Sequence, residues 1–372
     1  MPIDLPIIVL THEFAPTKGG IATFTEEMAI AGSQLGNQIE VWAPSCQTCD
    51  DSRFPFNVRR LDLRGSQDIS CQYRMATECY RERKRLSESI VYITDPGPIL
   101  ALRPLVFANL FQPEKLAITL HGSEINTFSS NPLTRASIKP VLRLANRISV
   151  PSEFTSNLLA EKFPIAAKKT VITHGALRSD FQNPASFTSE RTKRCRILTV
   201  GRLHPRKGQD RLIAAIGQLP ENLKSNLELG IVGSGNKNGF GDRLRDLAEK
   251  EDYEITFYGD ITNDRLHELY GRSDIFAMTS IPYRNSIEGF GLVYLEAAAH
   301  GLPIIANRVG GVEDAVHHGE NGILVAPDDD SSLVKALAKL IEDSVVREKM
   351  GVKSREWSQS FSWNNAFKTL FD

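Results

Sequence analysis

Short apolar runs rich in β-branched residues recur along nearly the whole chain, with longer amphipathic stretches between them. A first series occupies residues 6–10, 38–43, 90–93, 116–120, 147–150 and 170–172. A second occupies 196–200, 228–232, 255–258, 275–278, 303–306 and 322–325. Runs this short are strands rather than helices, and their continuous apolar character means burial on both sides. The alternation therefore predicts an α/β protein with parallel sheets covered by helices on both faces. The stretch 178–192 is polar, carries no strand pattern and reads as a linker. Each half then has the size of one doubly wound domain, 1–180 and 193–352. The tail 353–372, with Trp357 and Trp363, reads as helical.

Composition narrows the function classes. The 372 residues are 41% apolar and 24% charged, enough to bury two cores without disulfides or metal. A net charge of −1 leaves no electrostatic footprint for nucleic acid. No stretch approaches the roughly 20 apolar residues of a membrane span. The start lacks the basic region of a secretory signal, which predicts a cytoplasmic protein. The odd set Cys46, Cys49, Cys71, Cys79 and Cys195 predicts reduced thiols. A zinc site built from Cys46, Cys49, Cys71 and Cys79 is the alternative to plain loop thiols. The basic run 81–85 reads as a solvated helix face, with contact to anionic headgroups at the inner membrane surface as the sharper reading.

Five motifs carry chemistry. Gly19 and Gly20 follow the first strand and precede a helix, where small residues and free amides suit a phosphate; a plain strand-to-helix turn reads equally well. The loop 201–208 puts Arg202, Arg206 and Lys207 at the carboxyl end of a strand, where open parallel sheets bind ligands. A guanidinium with an ammonium can neutralise a diphosphate. The glycines beginning at Gly233 are spaced one residue too widely for a dinucleotide fingerprint and suit a loop passing near a nucleotide. Glu288 and Glu296 flank a glycine turn, and the amides of Phe290, Gly291 and Leu292 are expected at a helix start. Carboxylates there accept from sugar or ribose hydroxyls. His121 ends a strand, and a role at a reacting sugar stands beside a structural one. The acids Asp328, Asp329 and Asp330 have metal-like spacing but precede a helix and read as caps.

The Glu288…Glu296 pair, the Gly201-Arg202…Lys207-Gly208 loop and the Gly19-Gly20 loop resemble the retaining GT-B glycosyltransferases of family four. Within that family the segments 202–210 and 288–297 are most similar to phosphatidylinositol mannosyltransferases. The resemblance implies a GT-B fold, two Rossmann-like domains facing across a cleft, with the tail after Lys353 crossing back to the first. It implies transfer of a hexose from a nucleotide-diphosphate sugar to a hydroxyl acceptor, lipid-linked or a glycan, without cofactor or metal. GDP-mannose is the favoured donor, with UDP-glucose and UDP-N-acetylglucosamine as alternatives. By the same resemblance, Arg202 and Lys207 hold the diphosphate, Glu288 the sugar with the Phe290 and Gly291 amides, and Leu292 a phosphate. Glu296 takes the ribose, Asp260 and Ile261 border the base, Gly20 touches phosphate and His121 lies near the sugar. Retention implies front-face attack, with a donor phosphate oxygen taking the acceptor proton. The segment 282–287 is shorter than the mannosyltransferase pattern, so donor sugar and acceptor stay open. The rival readings are a nucleotide-sugar 2-epimerase, a non-catalytic nucleotide-sugar-binding protein and a nicotinamide oxidoreductase.

Overall fold

The structure, a computed structural model, describes residues 2–47, 49–65, 67–182 and 194–372. The chain divides into two compact units, Met1–Gly175 with Ser362–Asp372, and Ala176–Phe361.

The first unit holds strands β1 (Ile7–Leu10), β2 (Ile39–Pro44), β3 (Asn57–Leu61), β4 (Ile90–Ile93), β5 (Lys115–Thr119), β6 (Arg147–Val150) and β7 (Thr170–Ile172). They form one parallel sheet in the order β3-β2-β1-β4-β5-β6-β7. The second unit holds β8 (Cys195–Val200), β9 (Leu227–Val232), β10 (Glu254–Gly259), β11 (Ile275–Met278), β12 (Ile304–Asn307) and β13 (Gly322–Val325). Their order is β10-β9-β8-β11-β12-β13, again parallel.

Side-chain alternation explains the second unit's core. Leu198, Phe276, Met278, Ile304 and Ala306 pack on one face of the sheet. Their neighbours Ile197, Ile275, Ala277 and Ile305 pack on the other. Both faces are buried, so the strands read as unbroken apolar runs rather than alternating ones.

Strand β3 escapes the sequence pattern because it lies at the sheet edge and carries Arg59 and Arg60. The Arg59 guanidinium covers the Trp42 ring at 4.7 Å and pairs with Glu78 and Glu82. Arg60 pairs with Asp51 at 2.6 Å and donates to the carbonyls of Ala15 and Pro44. Long cationic stems thus cover an edge that an apolar run would leave prone to pairing.

Several expectations are corrected. The 178–192 stretch is not linker from its start: the turn Ser179–Phe181 ends on Phe181, which is fully buried in the second unit. Residues 183–193 lie outside the described residues. The first unit ends at Gly175 rather than 180. Lys353 lies inside the helix Ser344–Ser358 of the second unit, and the crossing begins only at Ser362. There the Ser362 hydroxyl caps the helix Trp363–Phe371. That helix packs on Gly20–Gln34, with Trp363 edge-on to Phe24 at 5.2 Å.

The cysteines also depart from the reduced-thiol expectation. Cys46 and Cys49 are joined as a disulfide, and Cys71 and Cys79 are buried free thiols in the first unit's core. The four-cysteine zinc site does not assemble, because the first pair is consumed in the bridge. Burial pushes the Cys79 thiol far above its ordinary value, as expected of an inert core residue.

Candidate functional site

Strand order in the second unit reverses between β8 and β11, and open parallel sheets bind ligands beyond the carboxyl ends at such a point. Two loops leave those ends and lock together. Gly208, at φ 65°, leaves no room for a Cβ, which would lie 2.0 Å from the Thr279 carbonyl oxygen. The Thr279 hydroxyl donates to the Gly208 carbonyl at 2.6 Å, and the Ile281 amide to the Arg206 carbonyl at 2.8 Å. Gly233, after β9, backs the same loop: a Cβ there would lie 2.1 Å from the Gly201 carbonyl oxygen. These glycines are required by backbone-to-backbone approach.

The lock carries Lys207 and Glu288 into contact across 81 positions of sequence. Lys207 Nζ donates to Glu288 Oε2 at 2.7 Å, and Arg206 Nη1 to the same oxygen at 2.9 Å. The Ser280 hydroxyl donates to it at 3.2 Å. Glu288 and Lys207 are 8% and 9% exposed, so the pair is held out of bulk water. Burial alone would push the Glu288 carboxyl up, but the Lys207 and Arg206 charges outweigh it and hold the group at about 2. Burial lowers Lys207, with Glu288 opposing.

Positive potential surrounds this pair. Burial and the charges of Lys237, Arg206, Arg202 and Lys207 push the His204 imidazole down to about 4. The neutral ring accepts the Arg206 amide at 3.1 Å through Nδ1. Arg202 is exposed, and among the described residues no acid pairs with it. An exposed unpaired guanidinium beside a buried ammonium suits a polyanion.

Beyond Glu288 the chain turns through Phe290, buried and edge-on to Phe361, into the helix Leu292–Ala299. Gly291 caps this helix at φ 92°, and a Cβ would lie 2.6 Å from the Tyr294 ring. Leu292 and Val293 open the helix, where it offers no carbonyl four residues back, and the Tyr294 amide donates to the Gly291 carbonyl at 3.0 Å. Glu296 sits in the helix and is 7% exposed. Its Oε2 accepts from the Tyr270 hydroxyl at 3.2 Å, and its Oε1 lies 3.4 Å from Arg178 Nε. Burial raises this carboxyl above its ordinary value, against the opposing charge of Arg178.

Asp260, exposed after β10, accepts from the Ser234 hydroxyl at 2.8 Å, which joins it to the loop that begins at Gly233. Ile261 is half-buried against the core of the same unit. The structure therefore joins Lys207 directly to Glu288, and the Gly233 loop to Asp260 through Ser234. Glu296 belongs to a neighbouring cluster with Tyr270 and Arg178, linked to Glu288 through the shared turn and helix.

In the first unit, Gly19 caps the helix Gly20–Gln34 without a side-chain partner. A Cβ on Gly19 or Gly20 would meet no atom within 4 Å, so packing does not require glycine at either position. His121 follows β5, and its Nε2 lies 2.8 Å from the Thr94 carbonyl. In the neutral ring that nitrogen carries the proton and Nδ1 does not. The Phe24 ring packs edge-on against the imidazole at 5.2 Å.

Sequence reasoning missed Gly310 and Gly311. The Gly311 amide donates to the Glu288 carbonyl at 2.9 Å, and a Cβ on Gly310 would lie 2.1 Å from that oxygen. Their signal is a double glycine after a strand, the same cue that marked Gly19 and Gly20. Arg178 and Tyr270 had no local signal. Asp329 caps the helix Asp330–Glu342, accepting from the Ser332 amide at 2.9 Å, and Asp330 pairs with Arg211.

A model described as glycosyltransferase family 4 matches residues 18–177, and one described as glycosyl transferases group 1 matches 182–357. A GDP-mannose-dependent alpha-(1-6)-phosphatidylinositol monomannoside mannosyltransferase of Mycobacterium tuberculosis is 27% identical, over 98% of this chain and 97% of its own. A D-inositol 3-phosphate glycosyltransferase of Corynebacterium glutamicum is 38% identical, over 44% of this chain and 39% of its own. Anabaena HepE in complex with UDP and glucose superposes with a TM-score of 0.77 at 18% identity, covering 98% of this chain and 97% of its own. A sucrose-phosphate synthase from Thermosynechococcus elongatus gives 0.75 at 20%, covering 98% and 96%. Two parallel Rossmann-like sheets, the locked cation–carboxylate loops and both family matches lead to one conclusion: this chain is an enzyme of the GT-B glycosyltransferases, family four.

Proposed function

We propose that the enzyme transfers mannose from GDP-mannose to a hydroxyl of an inositol-containing lipid, with retention at the anomeric carbon and without metal. The observation that carries the reading is the buried Lys207–Glu288 contact beside the unpaired Arg202 at the switch point. Arg202 and Lys207 take the diphosphate as the anomeric C–O bond breaks, and the Leu292 amide adds to them. Glu288, anchored through Oε2, accepts from sugar hydroxyls together with the Phe290 and Gly291 amides. Glu296 takes the ribose diol, and Gly233, Asp260 and Ile261 border the base. The first unit contributes Gly19, Gly20 and His121. A donor phosphate oxygen takes the acceptor proton as the new bond forms on the face the diphosphate leaves. Relatives acting on GDP-mannose and phosphatidylinositol monomannoside support the donor and acceptor classes.

A lipid acceptor calls for a membrane-facing surface. Ile69, Tyr73 and Tyr80 fall on one stripe of the helix Ile69–Arg81, opposite its buried Cys71, Met75 and Cys79. Ile69 and Tyr73 are 83% and 72% exposed, and at the other end of the helix the Arg83 guanidinium covers the Tyr80 ring at 4.4 Å, with Arg81 and Lys84 exposed nearby in sequence. Apolar anchors flanked by cations suit anionic headgroups at the cytoplasmic leaflet. Turnover of GDP-mannose, UDP-glucose and UDP-N-acetylglucosamine with phosphatidylinositol vesicles tests the reading. An α-mannosyl lipid from GDP-mannose is expected. Inversion at the anomeric carbon refutes the stereochemistry. Conversion of the donor without any acceptor points to the epimerase instead.

A further inference from the structure

Arg178 lies in a stretch that looks like linker in sequence, yet its side chain is mostly buried against the second unit. Its guanidinium covers the Phe181 ring at 4.5 Å, and its Nε lies 3.4 Å from Glu296 Oε1 and 3.5 Å from Asp180 Oδ1. Tyr270, on the helix Asn263–Arg272, holds the other oxygen of Glu296. Tyr270 thus donates to one oxygen, while the Arg178 guanidinium faces the other as an ion pair rather than as a hydrogen-bond donor. A carboxylate has about four acceptor sites, so each oxygen keeps at least one for a further donor. Two acceptor sites on adjacent oxygens match the two hydroxyls of a vicinal diol.

We propose that Arg178 is a positioning residue for nucleotide recognition, holding Glu296 ionised and aimed so that its free lone pairs accept the ribose diol. The inference rests on the reading that Glu296 takes the ribose. Burial favours the neutral carboxyl, and a neutral carboxyl has one acceptor fewer and one donor more. Arg178 supplies the largest opposing influence, ahead of the Tyr270 hydroxyl, while Asp180 acts in the other sense. The surrounding groups do not replace it. His300, at the end of the same helix, is pushed down to about 4 and is neutral, its Nδ1 facing the Glu296 carbonyl at 2.8 Å. His267 is lowered by burial and contacts His300 at 3.2 Å. Arg355, on the helix Ser344–Ser358, is directed at the His300 carbonyl rather than at the carboxylate.

The test measures binding of GDP or UDP, whichever the wild type takes more tightly, and of its 2′,3′-dideoxy form, by calorimetry from pH 5.5 to 8.5. The wild type is expected to prefer the diol on the order of ten-fold, with little pH dependence. Arg178→Met is expected to lose most of that preference at low pH and regain part of it as pH rises and Glu296 ionises. Arg178→Lys should fall between the two, and it carries the test if the methionine variant does not fold. A methionine or lysine variant with full diol preference and an unchanged pH profile overturns the proposal. Glu296→Gln separates the two readings. If it retains diol preference, Glu296 does not take the ribose and both fall. If it loses the preference while the Arg178 variants keep theirs, only the role of Arg178 falls.

Discussion

Replacing Glu288 by Gln keeps the side chain's shape and removes its charge, leaving Lys207 and Arg206 without their shared counter-ion. The folded carboxyl is held at about 2 against an ordinary 4.5. At about 1.4 kcal/mol per pH unit, that difference corresponds to ~3 kcal/mol of folding stability at neutral pH. The value agrees with the roughly 3–5 kcal/mol lost when one partner of a buried pair is removed. For a unit of this size the melting point should fall by roughly 6–12 °C at pH 7.5. A depressed carboxyl contributes fully above its unfolded value and loses its contribution as pH falls toward its folded one. The gap between wild type and variant should therefore shrink to roughly half by pH 3. Calorimetry at the two pH values measures both quantities. A second substitution, Lys207→Met in the glutamine background, should recover part of the loss, because it removes the cation left unpaired. A Glu288→Gln variant that melts with the wild type at pH 7.5 refutes the reasoning, since the three donors on Oε2 would then count for nothing.

Four further outcomes follow from the same geometry. Lys207→Ala should lower kcat/KM by a factor equivalent to roughly 2–4 kcal/mol, read from initial rates with GDP-mannose. Gly20→Ala should leave the melting point unchanged or slightly higher, because a Cβ meets nothing there, yet weaken donor use. Gly310→Ala should destabilise by at least about 1–3 kcal/mol in denaturant titration, since φ is +57° and the Cβ strikes the Glu288 carbonyl. Tyr73→Asp should reduce co-sedimentation with anionic vesicles without shifting the melting point, because Tyr73 is exposed.

What could be read in advance divides by sequence distance. Apolar runs announced twelve of the thirteen strands, because burial on both faces leaves a local signature. Strand β3 stayed hidden because Arg59 and Arg60 satisfy its edge through Trp42, Glu78 and Asp51, partners that only the tertiary fold brings near. Lys207 and Glu288 each stood out by loop chemistry. Their mutual bond did not, since nothing local indicates which of several carboxylates an ammonium will meet 81 residues later. Arg178 was obscured for a related reason: polarity suggested solvent, whereas burial of Phe181 beside it draws the segment onto the helix of Glu296. The cysteines failed for want of compartment information, as the spacing of Cys46 and Cys49 suits a bridge as well as a metal.

Residues 362–372 belong to the same body as residues 1–175, so the second sheet lies in effect within a 186-residue insertion between β7 and the helix Trp363–Phe371. Stopping the chain at Phe361 would leave that insertion whole and injure the other body instead. It would uncover the Gly20–Gln34 helix, whose Gly32 sits so near the Phe367 ring that a Cβ would approach within 2.4 Å. The first body therefore stays unfinished during synthesis until residues 362–372 emerge.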